Sequence, residues 1–285
     1  MAQPAFAPLF HANGGPDFLA VIPDMFLDDA GPSANPRFRD LHRMIGLLDA
    51  VELPQVAHHL AASLASAVEP DPDYVEAMAN WADRWNCAWV SDHLAFMEIA
   101  APGGASTAGL ALTPPFDRQI LDLMVPRIQR LLARLRRPFL IENSAYFVRF
   151  EDSELDEPAF LNELCARSGC GLLLDLHNLY VNAVNFGFDP FAFLGGLDLS
   201  RVVEIHIAGG CELEGVWSDA HAGPPPEPVW ALLDACARRC PNLRAVTFEM
   251  HESWLPEVGM DAVAATLARA RALWPAAAAG RRGRT

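Results

Sequence analysis

Basic charge is in short supply: 21 lysine and arginine residues face 36 aspartates and glutamates in this 285-residue chain, a formal net charge of −15. A body this acidic repels nucleic acid and anionic membrane surfaces, so neither is an expected partner. Clustered carboxylates do, however, suit metal cations. The six cysteines (Cys87, Cys165, Cys170, Cys211, Cys236, Cys240) are scattered and none forms a CxxC pair. That argues against a zinc ribbon or a thioredoxin-type site. No stretch approaches the roughly 18 unbroken apolar residues of a membrane span. The opening MAQPAFAPLF lacks the charged start and long apolar run of a signal peptide. The expectation is a soluble cytoplasmic protein with reduced thiols.

What is present is apolar and regularly spaced. Hydrophobic residues make up 52% of the chain, ample for a full core. Strand-type runs occur at 18–23, 53–58, 87–92, 138–143, 171–176, 202–207 and 245–250, and helical periodicity at 71–85, 116–137, 157–169, 226–240 and 260–274. Strands apolar on both faces, each followed by a helix, indicate a parallel sheet covered by helices. The count and length suit an eight-stranded (β/α) barrel. No GxGxxG stands at a strand-to-helix turn, which disfavours a doubly wound sheet. Only the short, proline-broken PAFAPLF at 4–10 is available as an eighth strand, so irregularity is expected there. One domain is expected over 1–275, with a flexible tail over 276–285. The segments 101–115 and 211–228 read as long loops after strands, on the face where barrels carry their sites.

Polar residues gather at the strand ends. The runs deliver His58 and His59, Asp92 and His93, Glu142 and Asn143, Asp175 with His177 and Asn178, Glu204 and His206, and Glu249 with His251; the loop after His206 adds Asp219 and His221. In a parallel barrel these ends converge on one rim. Imidazoles with carboxylates suit iron, manganese, zinc or nickel, and thiolates are absent from these positions. The set is too large for one ion, so two or three metals bridged by carboxylates are expected. Blander roles suit the rest. A lone strand-end histidine is usually structural, which is the expectation for His11, His42 and His59. Alternation in VSDH points Asp92 away from the pocket, as support for a histidine. Glu204, two residues before His206, is either a ligand or a neighbour. The cysteines are expected in the core, with Cys211 alone near the rim, and Trp217 beside the pocket.

The motifs VSDHLAF, IENSAYFVRF, LLLDLHNLYVNAVNFGFDP, VVEIHIAGG, DAHAGPPPEPVW and TFEMHES together resemble the multinuclear non-haem iron oxidative enzymes, the family that includes the methanobactin-biosynthesis enzyme. The resemblance runs in order from about residue 18 to residue 274. It implies a (β/α)8 TIM barrel holding two or three irons as mixed Fe(II)/Fe(III). It also implies O2 as co-substrate in oxidative modification of a ribosomally made precursor peptide, at cysteine or near the peptide's C-terminus. The metal ligands carried over are His58, His93, Glu142, Asp175, Asn178, His206, Asp219, His221 and Glu249, with Asp175, His206 and Glu249 the expected catalytic residues. Such enzymes commonly act with a small leader-recognising partner protein. The chain departs from the family at Ala20 (usually glutamate, leaving Asp24 nearby), His59 (usually glycine) and His177 (usually asparagine). Two other readings use the same residues: a zinc- or manganese-dependent hydrolase or sugar isomerase, and a non-catalytic metal-binding or peptide-carrier protein.

Overall fold

Runs that are apolar on both faces need cover on both, and here they become interior strands beneath helices. The computed structural model describes residues 3–101 and 104–279. Its main sheet runs β1 (Leu19–Val21), β2 (Gln55–His58), β3 (Val90–His93), β4 (Phe139–Glu142), β5 (Gly171–Asp175), β6 (Val202–Leu213) and β8 (Ala245–Glu249). Neighbours in that order are parallel. A further strand, β7 (Val216–Gly223), folds back antiparallel on β6. Every run expected as a strand overlaps one, two of them, Val90–His93 and Val202–Leu213, extending past the run. The principal helices are α1 (His42–Asp49), α2 (Pro72–Arg84), α3 (Arg118–Leu135), α4 (Glu157–Ser168), α5 (Leu176–Phe186), α6 (Pro190–Gly196), α7 (Glu227–Ala237) and α8 (Met260–Ala279). The fold is an α/β barrel of the TIM type. Leu140, Ile141, Leu173 and Leu174 are fully buried; Ile141 and Leu174 belong to the main apolar core, while alternation turns Leu140 and Leu173 to the face that carries Glu142 and Asp175. Among the described residues no helix is long and apolar enough to cross a membrane.

The barrel is irregular where the sequence runs out of strand. Pro4–Phe6 forms a 3-10 turn and Ala7–Phe10 a single helical turn, because Pro4 and Pro8 cannot donate to a sheet ladder. Among the described residues β8 and β1 do not pair with each other. Phe6, Leu9 and Phe10 approach the gap from one side, and Val263, Leu267 and Trp274 of α8 from another, around a cavity of about 280 Å³.

Three expectations are corrected. The stretch 101–115 is not a loop: Phe96–Ala101 and Gly104–Leu112 pair as an antiparallel hairpin. Nor is 211–228, since β6 continues past the barrel and returns as β7, with a register shift between Gly209 and Cys211. Glycine and proline made both read as irregular, but long excursions meet their backbone hydrogen-bonding needs best by pairing with themselves. Of the tail expected over 276–285, residues 276–279 continue α8 and 280–285 lie outside the described residues.

The sequence reading also missed α5. Asp175 ends β5 and is at once the N-cap of α5, its side chain accepting the Asn178 N–H at 2.7 Å. That bond satisfies one of the free N–H groups at a helix start. Gly187, at φ 71°, takes the left-handed conformation that ends this helix.

Phe139→Ala, at a fully buried β4 position, should cost about 3–5 kcal/mol in urea unfolding. Leu110→Ala, 54% exposed on the outer hairpin, should stay within about 0.5 kcal/mol of the parent. Equal losses at the two positions would contradict this placement of β4.

Candidate metal centre

Alternation along parallel strands builds the centre. Ser91 and His93, Glu204 and His206, and Thr247 and Glu249 are spaced two apart and therefore share a strand face. Register then levels the rows. His93 lies opposite Glu142 across β3 and β4, and His206 opposite Asp175 across β6 and β5. Ligand atoms of His58, His93 and Glu142 fall within 4.8 Å of one another, and so do those of Glu142, Asp175 and His206. The two groups share Glu142.

The individual contacts set the geometry. Glu142 Oε2 is 3.2 Å from His58 Nε2 and 3.5 Å from His93 Nε2. Its Oε1 accepts Asn178 Nδ2 at 3.2 Å. His206 Nδ1 is 3.1 Å from Glu249 Oε2 and 4.0 Å from Asp175 Oδ2. At the rim, His221 Nε2 is 3.2 Å from Asp219 Oδ2 and 3.5 Å from Glu249 Oε2. His58, Glu142, Asp175, Asn178, His206 and Glu249 are all buried. Even so, Glu142 Oε2, Asp175 Oδ2, Asn178 Oδ1 and His206 Nδ1 have no hydrogen-bond partner. Unpaired buried acceptors and charges are costly. Oxygen and nitrogen donors that converge without partners fit a bound cation.

Electrostatics in the metal-free protein carry the same signature. Burial, reinforced by Asp175 and Glu249 against the pull of His206, pushes the Glu142 carboxyl well above its usual range. Burial and then Asp219 push Asp175 up to about 6. Burial and the neighbouring His93 and His206 drive His58 well below its ordinary value. Burial also opposes charge on Glu249, but His206 and His221 hold its carboxyl well below the usual range. His221 is raised to about 9, Asp219 and Glu249 outweighing burial. Protons thus neutralise a crowded acidic site, a task cations can take over.

The remaining candidates sort by where their side chains point. Asp92 faces away from the centre and accepts the Ala62 and His93 backbone N–H groups at 2.9 and 2.6 Å. Glu204 sits beneath His206, 3.3 Å from its Nε2, and accepts Trp89 Nε1 at 2.6 Å and Thr247 Oγ1 at 2.5 Å. Its two oxygens are thus engaged by Trp89 and Thr247 on the side of His206 away from Glu249. His59 is buried in a separate pocket, its Nδ1 3.2 Å from Tyr74 Oη and 3.3 Å from Asp24 Oδ2. His251 is exposed and caps a turn through the Ser253 N–H at 3.2 Å. His11 is exposed, and the His42 side chain lies outside the described residues. Five cysteines are buried, while Cys211 is half-buried on the β6–β7 hairpin, 3.7 Å from Ser218 Oγ. Trp217 packs edge-on against Tyr180 at 5.8 Å.

Several supporting residues escaped the sequence reading. Ser91 Oγ meets His58 Nδ1 at 2.9 Å, leaving Nε2 to face the centre. Asn143 Nδ2 donates to the Asp175 carbonyl at 2.9 Å, and its Oδ1 accepts the Asp175 N–H at 2.8 Å. Ser91 and Thr247 were legible in principle, each two residues before a candidate ligand. Asn143 was read as a polar strand-end residue beside Glu142, but its bonds to Asp175 were not legible, because that partner is 32 positions away.

Comparison with known proteins gives the family and the fold. Residues 2–274 match the family model described as RiPP precursor modification enzyme MbnB/TglH/ChrH, where RiPP denotes a ribosomally synthesised and post-translationally modified peptide. A UPF0276 protein of Caulobacter vibrioides is 36% identical over 269 residues, covering 94% of this chain and 88% of that protein. One from Rhizorhabdus wittichii is 38% identical over 219 residues, covering 77% and 74%. Among solved structures, the IolI protein with a zinc atom aligns with TM-score 0.57 at 9% identity, covering 98% of this chain and 94% of that one. Endonuclease IV from Thermus thermophilus aligns at 0.53 with 17% identity, covering 91% and 90%. Those likenesses establish the barrel, while the full-length match establishes descent: the chain belongs to the MbnB/TglH/ChrH family of RiPP precursor modification enzymes.

Proposed function

We propose that this chain is a multinuclear non-haem iron enzyme that uses O2 to modify a precursor peptide oxidatively, at cysteine or near the peptide's C-terminus. The carrying observation is the pair of donor groups that share the buried, unpartnered Glu142. His58 and His93 with Glu142 would hold one iron, and Glu142, Asp175 and His206 a second, with Asn178 Oδ1 beside them. Asp219, His221 and Glu249 offer a third position. Bound iron would supply one-electron chemistry with O2.

The protein's own groups prepare the site for that chemistry. Asp175, His206 and Glu249 are the proposed catalytic residues, since His206 contacts both acids and Glu249 also reaches His221 at the rim. Glu249 Oε2, 3.1 Å from His206 Nδ1 and 3.5 Å from His221 Nε2, is an ionised acceptor between two imidazoles. Glu204 keeps the far side of His206 occupied. A peptide would approach over the rim, where Phe147 and Phe150 stand exposed. A small leader-binding partner protein is part of this proposal, as is a cytoplasmic setting.

Iron in the purified protein, O2 uptake and a changed mass in a co-expressed short cysteine-containing peptide are the expected results. The metal-bearing barrels it resembles in fold keep one rival alive, a zinc- or manganese-dependent hydrolase or sugar isomerase. Zinc content with O2-independent turnover would overturn the oxidative reading.

Two further measurements test the site itself. Glu142→Gln should lower the occupancy of both positions that share it, whereas His93→Ala should empty one; elemental analysis of anaerobically loaded protein distinguishes these patterns. Metal loading should also release protons. His221 titrates near 9 and Asp175 near 6 in the metal-free protein, and both must be deprotonated to act as ligands. Affinity should therefore rise with pH towards about 9 and fall more steeply below about 6. Calorimetry in buffers of different ionisation enthalpy at pH near 7.5 reads the protons released, and none would exclude His221 as a ligand.

A further inference from the structure

His177 is fully buried and makes one polar contact that reaches the metal centre indirectly. Its Nδ1 lies 2.8 Å from Asp219 Oδ1. A carboxylate that ligates a cation is ionised and only accepts, so His177 Nδ1 is the group that carries and donates the hydrogen. Asp219 is thereby tethered by one oxygen, leaving Oδ2 to face His221 Nε2 at 3.2 Å.

The slot that holds the ring is built for it. A Cβ on Gly210 would stand 2.9 Å from both His177 Cε1 and His177 Nε2, and 2.1 Å from the Ser218 carbonyl oxygen. Only glycine lets β6 approach the ring and β7 together. Tyr180, on the same helix, lies 6.4 Å from the His177 ring and packs against Trp217. His177 Nε2, against Gly210, has no hydrogen-bond partner. The ring comes from the first turn of α5, which Asp175 caps, while Asp219 belongs to β7. This hydrogen bond, with the pair that Asn185 exchanges with the Trp217 backbone at 2.8 and 2.9 Å, ties the hairpin to α5, and it is the one that acts on Asp219 directly.

We infer that His177 is a positioning residue for the cation held by Asp219 and His221, fixing the Asp219 carboxylate so that Oδ2 is presented beside His221 Nε2. This rests on the reading that Asp219 and His221 are metal ligands, and it assigns this chain's departure from asparagine at position 177 a defined task. His177 does not touch the cation. Loss of such an orienting hydrogen bond typically costs about 10–100-fold in metal affinity.

The chemistry of the side chains supplies the test. Asparagine carries its N–H2 at the same remove from the backbone as histidine Nδ1, whereas glutamine carries it one bond further out, nearer the place of Nε2. His177→Asn should keep the donor to Asp219, and His177→Gln should lose it, while both fill a polar slot. Anaerobic titration of the metal-free protein with Co(II), read by visible absorption and by bound equivalents, follows the site without any turnover. The expected result is near-parental binding in His177→Asn and about 10–100-fold weaker binding of one equivalent in His177→Gln and His177→Ala. Thermal melting of the metal-free variants separates this from loss of fold, and the Asn and Gln comparison stands even where His177→Ala is unstable. Parental Co(II) binding in folded His177→Gln would overturn the inference. His221→Ala reports on the underlying reading: if it too keeps every equivalent, the Asp219–His221 position falls and the inference falls with it.

Discussion

Glu142 presents a buried carboxylate oxygen that nothing in the protein satisfies, and the barrel mouth is organised around it. Two histidines approach that oxygen, Asn178 occupies the other, and Asp175 repeats the predicament one strand away. Leaving carboxylates unpaired in a dry interior costs several kcal/mol per ion, and in the metal-free protein burial raises the proton affinity of both acids. A parallel barrel can maintain such a site because its stability comes from layers of Leu, Ile and Phe beneath the rim. The acids are grafted on a scaffold that folds for other reasons.

The start of α5 softens the same problem. Asp175 caps the helix with one oxygen and turns the other to the centre. Backbone N–H groups at a helix N-terminus carry partial positive charge, which favours acidic groups placed against them. A single residue thereby ends a strand, begins a helix and faces the cluster of convergent donors.

Much of this was legible because period and chemistry coincide. The seven strand runs, the convergence of their polar ends and the weakness at 4–10 follow from apolar continuity and proline placement, and the structure has the same strands and the same irregular wall. Asp92 turning away from the centre also followed from alternation. What was not legible depends on partners distant in sequence or on backbone pairing that composition hides. LLLDLHN reads as one strand because its leucines dominate, yet helix α5 begins inside it. The two hairpins look like loops because glycine and proline signal irregularity without excluding self-pairing. The bond between His177 and Asp219 joins residues 42 apart, on elements whose closeness only the folded hairpin reveals.

Asn143 gives the centre its scale. Its side-chain amide donates to and accepts from the backbone of Asp175, as a main-chain unit would in a sheet, so it adds a rung to the ladder between β4 and β5 after the ladder has formally ended. Neighbouring strands lie about 4.8 Å apart. Glu142 immediately precedes that rung on one strand, and Asp175 forms its far end on the other. Register sets Glu142 opposite Leu173, so the backbone separation of the two acids follows from strand pitch and a two-residue offset. The sheet acts as a ruler, and the spacing from which these two carboxylates reach into the centre is a property of the backbone.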